Sequence, residues 1–193
     1  MEIKSVDGAL MSIVGEYAKV LVNPSKAGVK KNNPDIVLTT NDSEKIKEGE
    51  GFKVFDWPGE YESKGVLVHS IAHKEGKKEL RTQSLEVDGI RVCVVAPITK
   101  VPDKKHIAEF GNVDVLVVST ELKASDLMVL IEEVDPYQVV LLNNYNSGDK
   151  EWQNLQDALK EAGEEDLEAV KSVKISSKDA IDTGVLDYFL LDC

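Results

Sequence analysis

The sequence predicts an α/β (α+β) protein in which two mixed sheets pack face to face and helices cover the outside. Short apolar runs separated by turn residues fill the first half, where Asp88-Gly89 is the strongest hairpin signal. The second half alternates apolar runs with stripes of helical period. No long linker separates the halves and 193 residues suffice for one core, so we expect a single domain, residues 1–193.

The first half is predicted to be mainly strands in an antiparallel meander. Pro58-Gly59 is typical of a turn into extended chain, and residues 74–78, with Gly76, are typical of a charged hairpin tip. Residues 26–34 are basic and polar and contain Gly28, so we expect a loop there. The expected strands are 3–6, 10–14, 19–22, 35–38, 52–55, 66–71, 83–87 and 90–95.

The second half is predicted to alternate helices and strands. A short helix is expected at 103–110, ended by Gly111. A helical stripe runs from Ala124 to Val134, with Ser125 as N-cap, and a second runs from 152 to 162 with Gly163 as its terminator. The expected strands are 113–118, 139–142, 173–175 and 185–191.

Charge and hydropathy exclude several classes of function. The net charge of −12 repels phosphate backbones and anionic membranes, so we expect neither nucleic-acid nor membrane binding. The basic residues of the hairpin tip and Arg81 are interpreted as solvated charges. No apolar run approaches the roughly 20 residues of a membrane span, and the N-terminus lacks a signal-peptide pattern, so we expect a cytoplasmic protein. Cys93 and Cys193 are not expected to pair.

Six segments, in order, resemble the metallo-β-lactamase superfamily, and especially its small bacterial members that resemble zinc-dependent hydrolases and are related to ascorbate-lactonase-like proteins. The resemblance implies an αββα sandwich and covers nearly the whole chain. The segments are 20–24 (VLVNP), 35–40 (DIVLTT), 58–62 (PGEYE), 64–66 (KGV), 86–92 (EVDGIRV) and 111–116 (GNVDVL).

The metal-binding residues that the resemblance implies are replaced. The family places a His-x-His-x-Asp-His run after the fourth strand, where it binds zinc and activates water. Here residues 41–46 stand in that place, with Lys45 at the aspartate position and Ile46 at the last histidine position. Pro97 replaces a bridging aspartate, Asn144 replaces a late histidine, and His73 lies near a third metal histidine.

We therefore expect no catalytic residue, no metal ligand and no cofactor, although zinc is expected for the family. The residues expected to line the former pocket are Asn41, Asp42, Ser43, Lys45, Ile46, His73, Pro97 and Asn144.

Two functions follow from this pattern, and a third remains open. The first is a catalytically inactive pseudo-hydrolase that acts as a binding, regulatory or interaction module, with Lys45 and Ile46 filling the pocket and Lys45 pairing with Asp42 or Glu44. The alternative is a hydrolase with a rebuilt, non-standard metal site, in which Asp42, Glu44, His73 and Asn144 line the old pocket and a hard cation such as Mg²⁺ binds through carboxylates and waters. The third is a structural subunit with an unknown protein partner; the oligomeric state stays open.

Overall fold

A computed structural model describes residues 1–41, 45–119, 121–146, 148–181 and 184–193 of the chain. Its helices are α1 (Lys26–Asn32), α2 (Lys104–Ala108), α3 (Ala124–Val134), α4 (Lys150–Ala162) and α5 (Lys178–Ile181). Its strands are β1 (Glu2–Lys4), β2 (Met11–Val14), β3 (Lys19–Val22), β4 (Ile36–Leu38), β5 (Lys53–Phe55), β6 (Gly59–Ser63), β7 (Val66–Glu75), β8 (Lys78–Val87), β9 (Ile90–Val94), β10 (Val115–Val118), β11 (Gln138–Asn143), β12 (Ala169–Val170), β13 (Ser172–Lys174) and β14 (Asp187–Asp192).

The strands form two mixed sheets, as the sequence predicts. The smaller sheet has the order β13-β1-β2-β3-β4-β5, antiparallel from β13 to β3 and parallel from β3 to β5. The larger sheet has the order β12-β14-β11-β10-β9-β8-β7-β6. It is antiparallel from β6 to β9 and parallel from β9 to β12. The expected antiparallel meander therefore accounts for β1–β3 and β6–β9, whereas β4 and β5 run parallel.

Alternate side chains of the larger sheet pack on opposite layers of the molecule. Val115 and Val117 of β10 lie in the core between the two sheets. Leu116 and Val118 lie in a second apolar cluster with α2, α3 and α4. On the outer face of the smaller sheet, Val29 of α1 packs against β4. The order of layers is therefore helix, sheet, sheet, helix, which confirms the predicted αββα sandwich.

Residues 26–34 were expected to form a loop, and this prediction was wrong, because Lys26–Asn32 form helix α1. Ser25 caps α1 by accepting a hydrogen bond from the Gly28 amide at 3.0 Å, and Asn33 ends it in the left-handed conformation. The backbone of Gly28 lies against the backbone of Gly8, so that a Cβ atom at position 28 would be 2.0 Å from the carbonyl oxygen of Gly8. Val29 is the only buried large apolar side chain of α1, so the sequence carries no helical stripe there.

Other boundaries differ in smaller ways. Asp88 and Gly89 both have positive φ angles, as a tight hairpin turn requires, so this prediction is confirmed. The β7–β8 hairpin is longer than predicted and turns at Gly76 and Lys77. The N-cap of α3 is Lys123, so the assignment of Ser125 was wrong. The short elements β12 and α5 were missed; β12 is a pair of exposed residues that bears no apolar pattern.

Among the described residues, the longest helix has 13 residues and is amphipathic, and none has the length and apolar character needed to cross a membrane. That residues 1–193 form one domain stays a prediction.

Replacing Gly28 with alanine tests the close approach between α1 and Gly8. In an exposed helix this change normally stabilises by about 1 kcal/mol, because alanine is the better helix former. Here we expect a loss of about 2 kcal/mol or more in the free energy of unfolding, since the added methyl group collides with backbone. Urea unfolding measures the change.

Lys30→Ala is the matched control, because Lys30 is exposed on the same helix. We expect its free energy of unfolding to stay within about 0.5 kcal/mol of the wild type. A Gly28→Ala protein as stable as the wild type would contradict the contact with Gly8.

Candidate functional site

The end of β4 is held by side chains of neighbouring segments. The Asn23 side-chain amide donates to Thr40 Oγ1 at 2.7 Å, and the Thr40 backbone amide donates to Asn23 Oδ1 at 2.8 Å. From the larger sheet, the Arg81 amide donates to the Thr40 carbonyl at 2.8 Å, and Gln83 Nε2 donates to the Thr39 carbonyl at 2.7 Å. These bonds fix the place where Asn41 leaves the sandwich, at the junction of the two sheets.

A cavity of about 500 Å³ opens at this junction, and we call it the strand-end pocket. Asn41 follows β4, Pro97 follows β9 and Glu121 follows β10. The last two strands are parallel neighbours, so the segments that follow them meet at one edge of the sheet. The hairpin tip closes another side of the pocket. The lining residues are Asn41, Lys77, Lys78, Glu79, Leu80, Pro97, Thr99 and Glu121.

The structure thus brings two of the predicted pocket residues, Asn41 and Pro97, into one cavity. Ile46 does not join them. It is 8% exposed and packs with Val29 and Val37 beneath α1, where burial of a branched aliphatic side chain is favourable. Lys45 is exposed to solvent.

The expectation that Lys45 and Ile46 fill the pocket was therefore wrong. Asp42, Ser43 and Glu44 lie outside the described residues, and so does the expected pairing of Lys45 with Asp42 or Glu44.

Asn144 and His73 also lie outside the lining of the strand-end pocket. Asn144 is exposed in the segment after β11. His73 lies on β7 and lines a neighbouring cavity with His106. Neither Asn144 nor His73 lines the strand-end pocket, and Asp42 and Glu44 lie outside the described residues, so the rebuilt site expected from these four residues stays a prediction.

A hydrogen-bonded group that the sequence did not reveal lies at the pocket wall. Glu121 accepts a hydrogen bond from the Tyr145 hydroxyl at 2.7 Å and a second, short one from the Ser119 hydroxyl. Burial, followed by the hydrogen bond and negative charge of Glu121, raises the pKa of Tyr145. The signal that could have indicated this group is positional, because Ser119 and Glu121 follow β10 while Tyr145 follows β11, its parallel neighbour.

The residues of the pocket do not fit zinc. A zinc site needs imidazole, thiolate or carboxylate donors that converge on one point. Among the described lining residues, Asn41 offers a neutral amide and Pro97 offers no side-chain donor. Both oxygens of Glu121 already accept hydrogen bonds, and the Glu79 carboxylate lies 3.8 Å from the Arg81 guanidinium. Across the part of the chain that the structure describes, no three His, Cys, Asp or Glu side chains are placed to hold a metal ion.

The architecture has well-defined structural relatives. A candidate Zn-dependent hydrolase of the metallo-β-lactamase superfamily from Thermotoga maritima superposes with a TM-score of 0.74, and the match covers 99% of this chain and 98% of that one at 18% identity. The chain has the metallo-β-lactamase fold. The metallo-β-lactamase-fold protein YhfI from Bacillus subtilis matches with a TM-score of 0.57 and 8% identity over 81% of this chain and 92% of its own.

A larger enzyme contains the same fold. The diiron β-hydroxylase CmlA from Streptomyces venezuelae matches 98% of this chain with a TM-score of 0.58 and 10% identity, and the match spans 53% of that enzyme. No protein-family profile and no curated protein matches the sequence. The similarity is therefore one of fold, and identities this low carry no assignment of activity.

Tyr145→Phe tests the hydrogen-bonded group at the pocket wall. Removing the hydroxyl takes away the hydrogen bond that Tyr145 donates to the half-buried Oε1 of Glu121. We therefore expect a loss of about 1–2 kcal/mol in the free energy of unfolding. A group whose pKa is raised by folding stabilises the protein below its unfolded pKa, about 10 for tyrosine, and this stabilisation is lost as the pH rises further.

The variant should consequently lose less stability than the wild type between about pH 9.5 and 11. Urea unfolding at several pH values measures both effects. Equal pH slopes for the two proteins would contradict the bond between Tyr145 and Glu121.

Proposed function

We propose that this protein is a pseudoenzyme of the metallo-β-lactamase fold, a catalytically inactive pseudo-hydrolase that acts as a binding, regulatory or interaction module. One observation carries the proposal: among the described residues, the strand-end pocket is lined by an amide, a proline, the doubly hydrogen-bonded carboxylate of Glu121 and the Arg81-paired carboxylate of Glu79, with no convergent donor set. Hydrolysis by this fold's zinc-dependent members depends on a metal that lowers the pKa of bound water.

The chemistry of the pocket supports recognition of a polar group. Lys77 and Lys78 supply positive charge, Thr99 a hydroxyl and Asn41 an amide, while Leu80 and Pro97 supply apolar surface. Such a mixture orients a ligand through a few polar contacts and excludes water through the apolar ones. The net charge of −12 suits a protein partner with a basic surface.

The proposal places the protein in the cytoplasm. Both cysteines are unpaired in the structure, and free thiols are typical of a reducing compartment.

Elemental analysis of the purified protein tests the absence of a metal centre. We expect well under one zinc ion per chain, because the described residues offer no convergent donor set. A zinc-dependent metallo-β-lactamase-fold hydrolase purified in parallel is the positive control. Addition of Zn²⁺ or Mn²⁺ should leave the unfolding temperature unchanged, since an ion that binds the native state raises it. One tightly bound ion per chain would overturn the proposal.

The alternative is a hydrolase with a rebuilt metal site, and one observation favours it. Ile46 turns away beneath α1, so the strand-end pocket remains open, with the carboxylates of Glu79 and Glu121 in its wall. A hard cation bound there through carboxylates and waters would support ester or phosphodiester hydrolysis.

Turnover of nitrophenyl esters and phosphodiesters with Mg²⁺ or Mn²⁺ separates the two functions. If the protein is a pseudo-hydrolase, the metal-dependent hydrolysis rate of the wild type should not exceed that of the Glu121→Gln variant. Glu165→Gln, which changes an exposed carboxylate in the segment after α4, is the matched control for lost charge. A rate that Glu121→Gln abolishes and Glu165→Gln preserves would establish the hydrolase and reject the inactive module.

A further inference from the structure

A second cavity, of about 660 Å³, lies on the helix-covered side of the larger sheet, and we call it the histidine cavity. It is bounded by the tip of the β7–β8 hairpin, by segment 99–103 and by the start of α2. Its volume is in the range of pockets that bind small organic molecules.

Two imidazoles form the inner wall of the histidine cavity. The ring centroids of His73 and His106 are 5.0 Å apart, in an edge-to-face arrangement. Both ring nitrogens of His73 and Nε2 of His106 are buried without a hydrogen-bond partner among the residues that the structure describes. Buried polar atoms are rarely left unpaired, so these nitrogens are positions where a ligand or a water molecule would complete a hydrogen bond.

The two carboxylates of the cavity are already occupied by the protein. Glu75 accepts hydrogen bonds from the Thr99 amide at 2.8 Å and from the Lys100 amide at 3.2 Å. Asp103 caps α2 by accepting from the His106 amide at 2.9 Å. Glu75 is thus engaged through both of its oxygens, and Asp103 is engaged through Oδ1.

The positive charges of the cavity come from three lysines. Lys74, Lys78 and Lys100 line it and are exposed. Within residues 1–41, 45–119, 121–146, 148–181 and 184–193, their ammonium groups form no ion pair with a carboxylate. Three such lysines around two imidazoles create a local positive field in a chain whose net charge is −12.

We propose that the histidine cavity binds a small organic phosphate, with His73 and His106 donating to the phosphate oxygens and Lys78 and Lys100 neutralising its charge. A phosphate dianion accepts several charge-assisted hydrogen bonds at once, which satisfies the imidazoles and the ammonium groups together. Val101 and Pro102 supply apolar contacts for the organic part.

A transition metal fits the cavity less well than a phosphate. Histidines that bind metals usually donate their second ring N–H to a carboxylate or carbonyl, and neither nitrogen of His73 has such a partner in the described chain. The surrounding lysines would also repel a cation. The histidine cavity shares Lys78 and Thr99 with the strand-end pocket, but His73, Lys100 and His106 line the histidine cavity alone, so the proposal does not require the strand-end pocket to be catalytic.

Nuclear magnetic resonance of the three histidines tests the proposal directly. His69, His73 and His106 are the only histidines of the chain, so the imidazole spectrum is simple and single substitutions assign it. On titration with inorganic phosphate, and then with glycerol 3-phosphate, we expect saturable shifts of His73 and His106 with little change at His69. Sodium chloride at equal ionic strength controls for screening.

Matched variants locate the site. His106→Gln and Lys100→Gln should each weaken phosphate binding about tenfold, because each removes a charge-assisted contact. Lys105→Gln removes an exposed charge of α2 outside the cavity lining and should leave the affinity unchanged. Lys100 does not line the strand-end pocket, so these results do not depend on the function of that pocket.

The pH dependence provides an independent readout. Burial, with a smaller contribution from neighbouring His106, lowers the pKa of His73, whereas Glu75 opposes this shift. Lys74, Lys78, Lys100 and Asp103 complete the charges around the ring. A bound phosphate dianion favours the protonated imidazole, so the pKa of His73 should rise on binding. The phosphate monoester itself takes up a proton at a second pKa of about 6, so the titration of the His73 imidazole, and not the affinity, is the readout.

Three results would overturn the proposal. The first is equal or non-saturating shifts of all three histidines, which indicates screening alone. The second is an affinity that Lys100→Gln and Lys105→Gln reduce equally. The third is saturable binding of Zn²⁺ or Ni²⁺ at His73 and His106 without any binding of phosphate, which would identify a metal site in its place.

Discussion

Burial of the central strand β10 of the larger sheet on both faces is the constraint on which the rest of this structure depends. Val115 and Val117 face the smaller sheet while Leu116 and Val118 face the helices, so β10 has no solvated side. A strand of this kind must be covered from both directions, which requires the smaller sheet on one face and α2, α3 and α4 on the other. The carboxyl ends of β9, β10 and β11 are then the places where polar residues can emerge together, and the strand-end pocket lies at the ends of β9 and β10.

The sequence allowed the layers to be predicted because their signals are local. Runs such as 115–118 and 139–142 are too apolar for any exposed position, and Asp88-Gly89 specifies its turn by backbone conformation alone. Helix α1 was missed because its stability comes from a cap at Ser25 and a backbone contact at Gly28, which leave no periodic pattern. Elements held by capping and close approach are visible only once the neighbouring segment is in place.

For the candidate site, the sequence predicts only which residues follow the ends of strands. Asn41 and Pro97 line one cavity, because each follows a strand that reaches the same junction. The direction of Ile46 could not be predicted, since it depends on the path of the chain after β4. The contact between Glu121 and Tyr145 joins residues 24 positions apart, and the pairing of His73 with His106 joins a strand to a helix. Neither arises from spacing along the chain.

The burial of Ile46 also restricts how a metal site could evolve in this protein. The resemblance aligns Ile46 with a histidine ligand, yet here its side chain is part of the apolar contact that holds α1 onto the smaller sheet. A histidine substituted at this position would place an imidazole among Val29, Val37 and Phe52, and its desolvation would cost free energy before any metal could bind. A lineage that begins from this arrangement must therefore rebuild the support of α1 before it can acquire a ligand there, so the path toward a metal centre is longer than a count of substitutions suggests.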